Sequence, residues 1–190
     1  FAALAASKKP LIWACNGVHT SNSESLFKEF VEVTKIPSVL TLHGIDLLPH
    51  VSPQRVGMIG SYGNRWANKS VLESDTIIFL GSRIDIRQTG ANMSLFVNKK
   101  IIQVDIDESE FNNRLHADIS INMDINEFLI LEKRISQIAS TIEVTFAFDV
   151  IKTKHAEQRQ DFASRGLETF NDTPISNAEM AEFVAGLSAK

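Results

Sequence analysis

Short apolar segments that end in glycine or in a carboxylate are the feature that most limits how this chain can fold. Between residues 57 and 107 the sequence reads G-M-I-G-S-Y-G, then L-G-S-R-I-D-I-R-Q-T-G, then I-I-Q-V-D-I-D. In an open parallel sheet, ligands bind beyond the carboxyl ends of the strands. A glycine at such a place lets the backbone approach a phosphate closely, because no Cβ intervenes. The pattern therefore predicts a nucleotide pocket built from several loops.

Apolar segments alternate with helical patterns along the first two thirds of the chain. This alternation is typical of βαβ units. It predicts an α/β fold, a doubly wound and Rossmann-like parallel sheet of about six strands with helices on both faces. The predicted strands cover residues 10–15, 36–40, 56–59, 76–80, 101–104 and 119–121.

Pairs with the spacing of a capping box predict where several helices begin. We expect helix starts at Ser21 with Glu24, at Asp107 with Glu110 and at Asp124 with Glu127. Two further helices are predicted over residues 64–73 and 92–97.

The chain divides into three predicted parts. Residues 1–140 form the Rossmann-like domain, and residues 141–175 form a helix and a linker, which we describe as a C-terminal helical appendage. Ser176 with Glu179 opens another helical pattern over residues 176–190. Because both ends fall within helical patterns, we expect the chain to be a piece of a longer protein.

Composition excludes several classes of function. A net charge of −4 provides no basic field for nucleic acid or for an anionic membrane, and no apolar run approaches the ~20 residues that cross a bilayer. The lone Cys15 excludes an internal disulfide and a thiolate zinc cluster, and it favours a reducing, cytoplasmic setting. The five histidines have no metal-site spacing, so we expect no metal site here.

Five motifs in fixed order resemble the central domain of thiamine diphosphate-dependent enzymes of the acetolactate synthase (acetohydroxyacid synthase) type. They are W-A-C-N-G-V at 13–18, T-L-H-G at 41–44, G-M-I-G-S-Y-G at 57–63, L-G-S-R-I-D-I-R-Q-T-G at 80–90 and I-Q-V-D-I-D-E-S-E at 102–110. The similarity covers roughly residues 9–131.

The resemblance implies a flavin or adenine nucleotide, FAD or ADP, in this domain. Glycine amides can cradle its diphosphate, an arginine can neutralise it, and strand-end carboxylates can accept hydrogen bonds from ribose hydroxyls. Alternatively, the glycines only make turns, the charges form surface ion pairs, and Asp107 is a helix N-cap. The residues implied in nucleotide binding are Gly60, Gly63, Gly81, Ser82, Arg83, Asp85, Asp105, Ile106 and Asp107.

The family also implies a role for Arg87, the second arginine of the R-x-D-x-R motif, in selecting the carboxylate of a 2-keto acid. In such enzymes thiamine diphosphate and Mg²⁺ lie between a pyrimidine-binding and a diphosphate-binding domain of the same chain. The metal motif G-D-G occurs nowhere in this sequence. We therefore expect residues 1–190 to contain no catalytic residue and to bind no thiamine diphosphate, with residues 176–190 opening the diphosphate-binding domain. The resemblance further implies a homodimer or homotetramer.

Departures from the family pattern predict an altered ligand side. Ser61, Tyr62 and Ile86 replace residues usual in the family, Asp46 stands where a glycine is usual, and the first turn reads C-N-G. These departures leave open a related carboligase or decarboxylase, with FAD, ADP or an empty pocket. Two alternatives remain, a pocketless spacer domain that supports oligomerisation and a freestanding NAD-dependent oxidoreductase. An NAD-dependent oxidoreductase would need the motif G-x-G-x-x-G in the first strand-to-helix turn, where this chain has C-N-G-V-H-T.

Overall fold

The computed structural model describes residue Ala3 and residues 6–138 of the 190-residue chain. The predicted helix and linker over residues 141–175 and the predicted domain start at 176–190 lie outside the described residues. The proposed domain limits therefore stay predictions. Among the described residues, no helix has the length and apolar character that a membrane span requires.

A six-stranded sheet in which all strands run parallel forms the centre of the described structure. The spatial order is β3-β2-β1-β4-β5-β6. This confirms the predicted doubly wound α/β fold. The strands are β1 (Pro10–Ala14), β2 (Ser38–Leu40), β3 (Arg55–Met58), β4 (Thr76–Leu80), β5 (Lys100–Asp105) and β6 (Ile119–Asn122).

The order of the strands reverses between β1 and β4. From β1 the chain adds β2 and β3 on one side, then returns to place β4, β5 and β6 on the other. The β1–β4 pairing runs from Pro10 opposite Thr76 to Ala14 opposite Leu80. Loops leaving these two strands diverge to opposite faces, so a crevice opens beyond their carboxyl ends.

Alternate side chains of β1 enter two separate apolar cores, one on each face of the sheet. Ile12 and Ala14 belong to one core, and Leu11 and Trp13 to the other. Since a strand buried on both faces lacks a polar side, it reads as a continuous apolar run. Trp13 packs against Phe79 with a ring-centroid distance of 4.9 Å.

Helices cover both faces of the sheet. They are α1 (Gly17–Thr20), α2 (Glu24–Thr34), α3 (Arg65–Glu73), α4 (Ile86–Thr89) and α5 (Ile125–Ile138). α2 and α5 pack against each other, and Phe27, Phe30 and Phe128 fill the core beneath them. Ala67 and Val71 of α3 enter the opposite core. Three further segments form single 3₁₀ turns, Leu42–Gly44, Met93–Phe96 and Glu108–Glu110.

The predicted helix start at Ser21 is wrong by two residues. The N-cap of α2 is Ser23, and no side chain caps it. Ser21 Oγ donates instead to the carbonyl of Val18, and Glu24 contacts His19 at 2.9 Å. The sequence pattern failed here because α1, a separate one-turn helix, uses the local polar groups first.

Two other predicted helices are single 3₁₀ turns, and one helix start is as predicted. Residues 92–97 contain only the turn Met93–Phe96. Asp107 does act as an N-cap, accepting from the amide of Ser109 at 2.9 Å, but the turn that it caps ends at Glu110. Asp124 accepts from the amide of Asn126 at 2.8 Å at the start of α5.

Direct backbone contact between Gly17 and Gly81 fixes the crevice between β1 and β4. The amide of Gly17 donates to the carbonyl of Gly81 at 3.1 Å. A Cβ added to either glycine would lie 2.4 Å from the Cα of the other. No side chain other than hydrogen fits at either position, because real Cβ atoms do not approach this closely.

We expect alanine substitutions at three glycines to separate steric crowding from backbone strain. Gly17→Ala tests the contact alone and should lower the free energy of unfolding by about 1–3 kcal/mol. Gly90 has φ +72° and ψ −178°, a conformation that is essentially restricted to glycine, and no atom lies within 4 Å of an added Cβ, so Gly90→Ala tests the backbone alone and should cost roughly 1–3 kcal/mol. Gly81, with φ +56°, combines both penalties.

Urea unfolding of the three variants measures these differences. Gly81→Ala should be the least stable of the three. If it were no less stable than Gly90→Ala, the close contact between the two turns would carry no energetic weight.

Candidate nucleotide site at the strand ends

A cavity of about 780 Å³ opens at the carboxyl ends of β1, β4 and β5. This volume lies within the range of about 300–1,000 Å³ that is usual for small-molecule sites. It occupies the crevice at the strand-order reversal, where α/β proteins bind their ligands. Its walls are Cys15, Asn16, Gly17, Thr20, His43, Gly81, Arg83, Asp85, Arg87, Gln88, Asp105, Ile106, Asp107, Glu110, Asp124 and Ile125.

Most of the residues predicted for nucleotide binding lie together in this cavity wall. The cavity does not include Ser82, Gly60 or Gly63 in its lining. The assignment of these residues to a nucleotide stays a prediction. The predicted residues that line the cavity are Gly81, Arg83, Asp85, Asp105, Ile106 and Asp107, together with the predicted substrate residue Arg87.

Gly60 and Gly63 shape a turn beside the cavity. A Cβ at Gly63 would lie 2.5 Å from the carbonyl oxygen of Met58, and one at Gly60 would lie 2.6 Å from that of Arg87. The side-chain amide of Asn68 bonds both the amide and the carbonyl of Gly60, each at 3.0 Å. Close packing against neighbouring backbone therefore explains both glycines in the described structure.

Ser82 lies beneath the cavity, fully buried. Its hydroxyl lies 3.2 Å from Gln88 Oε1 and accepts from the amide of Ile84 at 3.3 Å. Ile84 has a φ of +52°, a rare conformation for a β-branched residue. This conformation lets the Ile84 side chain enter the core while Arg83 and Asp85, on either side of it, line the cavity.

Asp85 is the N-cap of α4. Its carboxylate accepts from the amides of Arg87 at 2.7 Å and Gln88 at 3.3 Å. This cap places Arg87 in the first turn of the helix, with an exposed side chain at the cavity wall. No hydrogen bond or ion pair engages the Arg87 guanidinium within the part of the chain that the structure describes.

Arg83 is held by an ion pair at the cavity edge. Its Nε donates to Glu110 Oε1 at 2.8 Å, and the exposed fractions of the two side chains are 82% and 12%. The partly buried carboxylate of Glu110 therefore anchors one edge of a guanidinium that is otherwise exposed to solvent. A second cavity of about 510 Å³ lies next to this pair and is lined also by Asp85, Arg87 and Arg114.

Asp105, Asp107 and Glu110 form a group of carboxylates in the lining of the larger cavity, here called the carboxylate wall. Burial raises the pKa of Asp105, and the carboxylates of Glu110 and Asp107 raise it further, while the amide of Asp107 donates to it at 3.1 Å. Hydrogen bonds from Ser109 lower the pKa of Asp107, and the charge of Arg83 lowers it further. The carboxyl oxygens of this wall can accept hydrogen bonds from hydroxyl groups.

Several residues in the cavity wall were missed by the reasoning from sequence. From sequence, Glu110 is predicted only as part of a capping box, and His43 only as part of the T-L-H-G motif. Asp124 and Thr20 carried no functional prediction, although both follow a strand end by a few residues. The usable signal was position, because any polar residue just beyond the carboxyl end of a parallel strand reaches this edge.

Cys15 lies at the cavity floor. Its exposure is 7%, the hydroxyl of Thr41 lies 3.0 Å from its sulfur, and Gln88 Nε2 lies 4.0 Å away. Cys15 is therefore a small, buried side chain in the cavity lining. Over the described residues, no three His, Cys, Asp or Glu side chains are grouped so that they could hold a metal ion.

We expect Asp105→Asn to stabilise the protein at neutral pH. The folded-state pKa of Asp105 is raised above its ordinary 3.8, so its ionisation opposes folding. The side-chain oxygen of the asparagine can still accept a hydrogen bond from the backbone amide of Asp107, but the asparagine carries no buried charge. The gain in the free energy of unfolding should be complete above the raised pKa of Asp105. It should shrink as pH falls through that pKa and should vanish below about 3.8.

Thermal unfolding of both proteins from pH 3 to pH 8 measures this difference. Asp118→Asn, at an acceptor for the amide of Ile101, is the control. A variant less stable than the wild type at pH 7 would contradict the burial penalty.

Comparison with known proteins identifies the family. The protein-family model described as "Thiamine pyrophosphate enzyme, central domain" matches residues 1–131 of this chain. The large subunit of acetolactate synthase from Lactococcus lactis is 38% identical over 126 residues, 66% of this chain and 22% of that protein. The isozyme 2 large subunit from Escherichia coli is 32% identical over 126 residues, 66% of this chain and 23% of that protein.

A third relative matches along almost the whole chain. The probable acetolactate synthase large subunit of Methanococcus aeolicus is 36% identical over 182 residues, which cover 95% of this chain and 28% of that protein. The chain thus spans about a quarter of the length of these curated relatives. The family match, together with the fold and the order of the motifs, shows that this chain belongs to the central-domain family of thiamine pyrophosphate enzymes.

Proposed function

We propose that this chain is the non-catalytic, nucleotide-binding central domain of a thiamine diphosphate-dependent carboligase or decarboxylase acting on 2-keto acids. The observation that carries the proposal is the 780 Å³ cavity at the β1–β4 crevice, lined by both carboxylates and guanidinium groups. Family membership supports it, because the relatives are named acetolactate synthases.

The carboxylate wall suits the ribose of a nucleotide. Asp105 lies at the end of β5, and Asp107 follows two residues later. A strand-end carboxylate can accept hydrogen bonds from ribose hydroxyls. The raised pKa of Asp105 supports a binding role, since a buried carboxylate that opposes folding is retained at a ligand site more readily than in a structural one.

The arginines that line the two adjoining cavities, Arg83, Arg87 and Arg114, are suited to binding the diphosphate. Arg83 is anchored by Glu110 through Nε alone, so its remaining N–H groups can serve a phosphate. Arg87 and Arg114 line the adjoining cavity with it. Arg114 is already oriented, because it donates to Thr89 Oγ1 at 2.9 Å and to the carbonyl of Gly90 at 2.8 Å.

The group that both candidate ligands share is adenosine diphosphate. Backbone at Gly17 and Gly81 forms the inner wall, where neither position leaves room for a Cβ. We therefore assign the ADP half of FAD, or ADP itself, to the larger cavity. In the intact protein, Arg87 would bind the carboxylate of the substrate from its exposed position at the rim.

We expect Arg83→Gln to weaken the binding of ADP by about 1.5–3 kcal/mol, because a charge-assisted hydrogen bond to phosphate is lost. Isothermal titration of the 190-residue chain, and of the intact protein, with ADP measures the change. Arg65→Gln removes an exposed arginine outside the cavity lining and is the matched control.

The double variant Arg83→Gln/Glu110→Gln separates two effects. Loss of Arg83 also leaves Glu110 without its cation, and that carboxylate then repels phosphate. Binding should partly recover in the double variant. Equal affinity in wild type and Arg83→Gln would reduce Arg83 to a surface charge.

The second candidate is a spacer domain that holds the catalytic domains apart and supports a homodimer or homotetramer. The exposed apolar side chains of Tyr62, Val51 and Val97, each at least 67% exposed, favour contacts with other protein surfaces. The open cavity argues against a pocket closed by its own side chains. Failure of both ADP and FAD to bind the intact protein would favour this candidate.

We also propose the reaction of the intact protein. Thiamine diphosphate, with Mg²⁺, supplies the electron sink that allows a 2-keto acid to lose CO₂. Neighbouring domains would hold both, in a cytoplasmic enzyme of the transferase or lyase type. Pyruvate is the default donor because the motifs resemble those of acetolactate synthases, whereas the departures at Ser61, Tyr62 and Ile86 leave the acceptor different among the candidates.

Assays of the intact protein with pyruvate, thiamine diphosphate and Mg²⁺ test this reaction by following CO₂ and acetolactate together. We expect thiamine-dependent release of CO₂. Stoichiometric acetolactate would identify the synthase reaction, and CO₂ without acetolactate would identify another carboligase or a decarboxylase. No turnover of any 2-keto acid would refute the proposed reaction.

A further inference from the structure

His19, in the one-turn helix α1, contacts a carboxylate with each of its ring nitrogens. Nδ1 lies 2.9 Å from Glu24 Oε1, and Nε2 lies 2.9 Å from Asp46 Oδ1. A neutral imidazole has one N–H and can donate to only one carboxylate, whereas the imidazolium donates to both. The arrangement therefore matches the protonated ring.

The charges around His19 favour its protonated form. The hydrogen bond with Glu24 raises the pKa of His19 most, the bond with Asp46 raises it further, and partial burial opposes both. Hydrogen bonds from His19 lower the pKa of both carboxyls, and the nearby Lys28 of α2 lowers them further. Glu24, Asp46 and Lys28 are the charged groups that act on this cluster among the described residues.

The cluster joins two segments of the cavity wall. Thr20, next to His19, lines the cavity, and so does His43 in the 3₁₀ turn Leu42–Gly44. Asp46 follows that turn by two residues. The start of the turn is fixed independently, because the amide of Thr41 donates to the carbonyl of Ala14 at 3.1 Å. The end of the turn is tied across to α1 through Asp46 and His19.

We propose that His19 is a positioning residue for the nucleotide cavity, and that its imidazolium holds the 3₁₀ turn Leu42–Gly44, with His43, against the cavity wall. We call the contact of His19 with Glu24 and Asp46 the latch. The ligand in this inference rests on the proposed function, whereas the latch is a property of the ligand-free chain. Asp46 makes the contact from the turn to α1. Its carboxylate lies 2.9 Å from His19 Nε2, and its side chain is 74% exposed.

The direction of the pH effect follows from the raised pKa. The folded state holds the proton of His19 more tightly than the unfolded state does. The contribution of the latch is therefore complete below the ordinary histidine pKa of 6.5 and is lost as pH rises through the raised value. Loss of the proton leaves one of the two carboxylates without a donor.

Hydrogen exchange in the ligand-free 190-residue chain tests the latch. The amides of Gly44 and Leu47 report on it, since they donate to the carbonyls of Thr41 and Gly44 at 3.0 and 3.1 Å. Their protection, corrected for intrinsic exchange, should fall about two- to fivefold between pH 5.5 and 8.5, the size expected of exposed ion pairs. The amide of Ile12 in the sheet should show no such fall.

Asp46→Asn should lower the protection at pH 5.5 to about the level that the wild type has at pH 8.5, where His19 has lost its proton, and NMR titration should show a lower His19 pKa in that variant than in the wild type. His50→Gln changes an exposed histidine of the same connection and should keep the wild-type pH dependence. Protection independent of pH, or a His19 pKa at or below 6.5, would overturn the proposal.

Titration with ADP then separates the latch from the proposed function. If protonation orders the cavity, ADP should bind about two- to fivefold more weakly at pH 8.5 than at pH 6, and bound ADP should raise the His19 pKa reciprocally. Absence of ADP binding at every pH would refute the nucleotide assignment and leave the exchange result intact. Equal affinity at both pH values would refute the link between latch and ligand.

Discussion

The approach of two backbones at Gly17 and Gly81 is the constraint on which the rest of this structure depends. Each glycine excludes a Cβ from the other, and a hydrogen bond joins their turns. The contact lies where strand order reverses, so it sets how far the loops leaving β1 and β4 stand apart. The crevice width follows from two residues that carry no functional group.

Above this contact, the same side chains build the loops and line the cavity. Asp85 caps α4, Asp107 caps a 3₁₀ turn and Asp124 caps α5, yet all three line the cavity. Capping uses part of each carboxylate and fixes its orientation. A ligand would then meet acceptors that are already ordered, which lowers the entropic cost of binding.

The fold could be predicted from sequence because β1 and β4 are buried on both faces and read as nearly unbroken apolar runs, and because β5 carries the apolar residues Ile101, Ile102 and Val104. The short helices could not. α1 and α4 have four residues each, less than two turns, so they leave no apolar periodicity. The capping assignment at Ser21 failed for the same reason, since an unrecognised turn preceded it.

Residues of the cavity lining could be predicted where they lie near strand ends, and less well where backbone packing decides which residue is needed. Gly81 directly follows β4, Arg83 lies three residues beyond its end, and Asp105 ends β5, and all three line the cavity. Gly60 and Gly63 looked similar in sequence but serve close packing with backbone in the described structure. The ion pair of Arg83 with Glu110 joins residues 27 positions apart, a distance that no local pattern encodes.

The burial of Cys15 at the cavity floor has a practical consequence. It is the single thiol of the chain, and its sulfur is covered by Thr41 and Gln88 at the innermost wall. Among the described residues Cys15 lines the cavity, so a ligand in the cavity would cover the side of the sulfur that an alkylating reagent can approach from there. The rate of its modification therefore reports occupancy of the cavity directly, without a label, and distinguishes an open pocket from a filled one in solution.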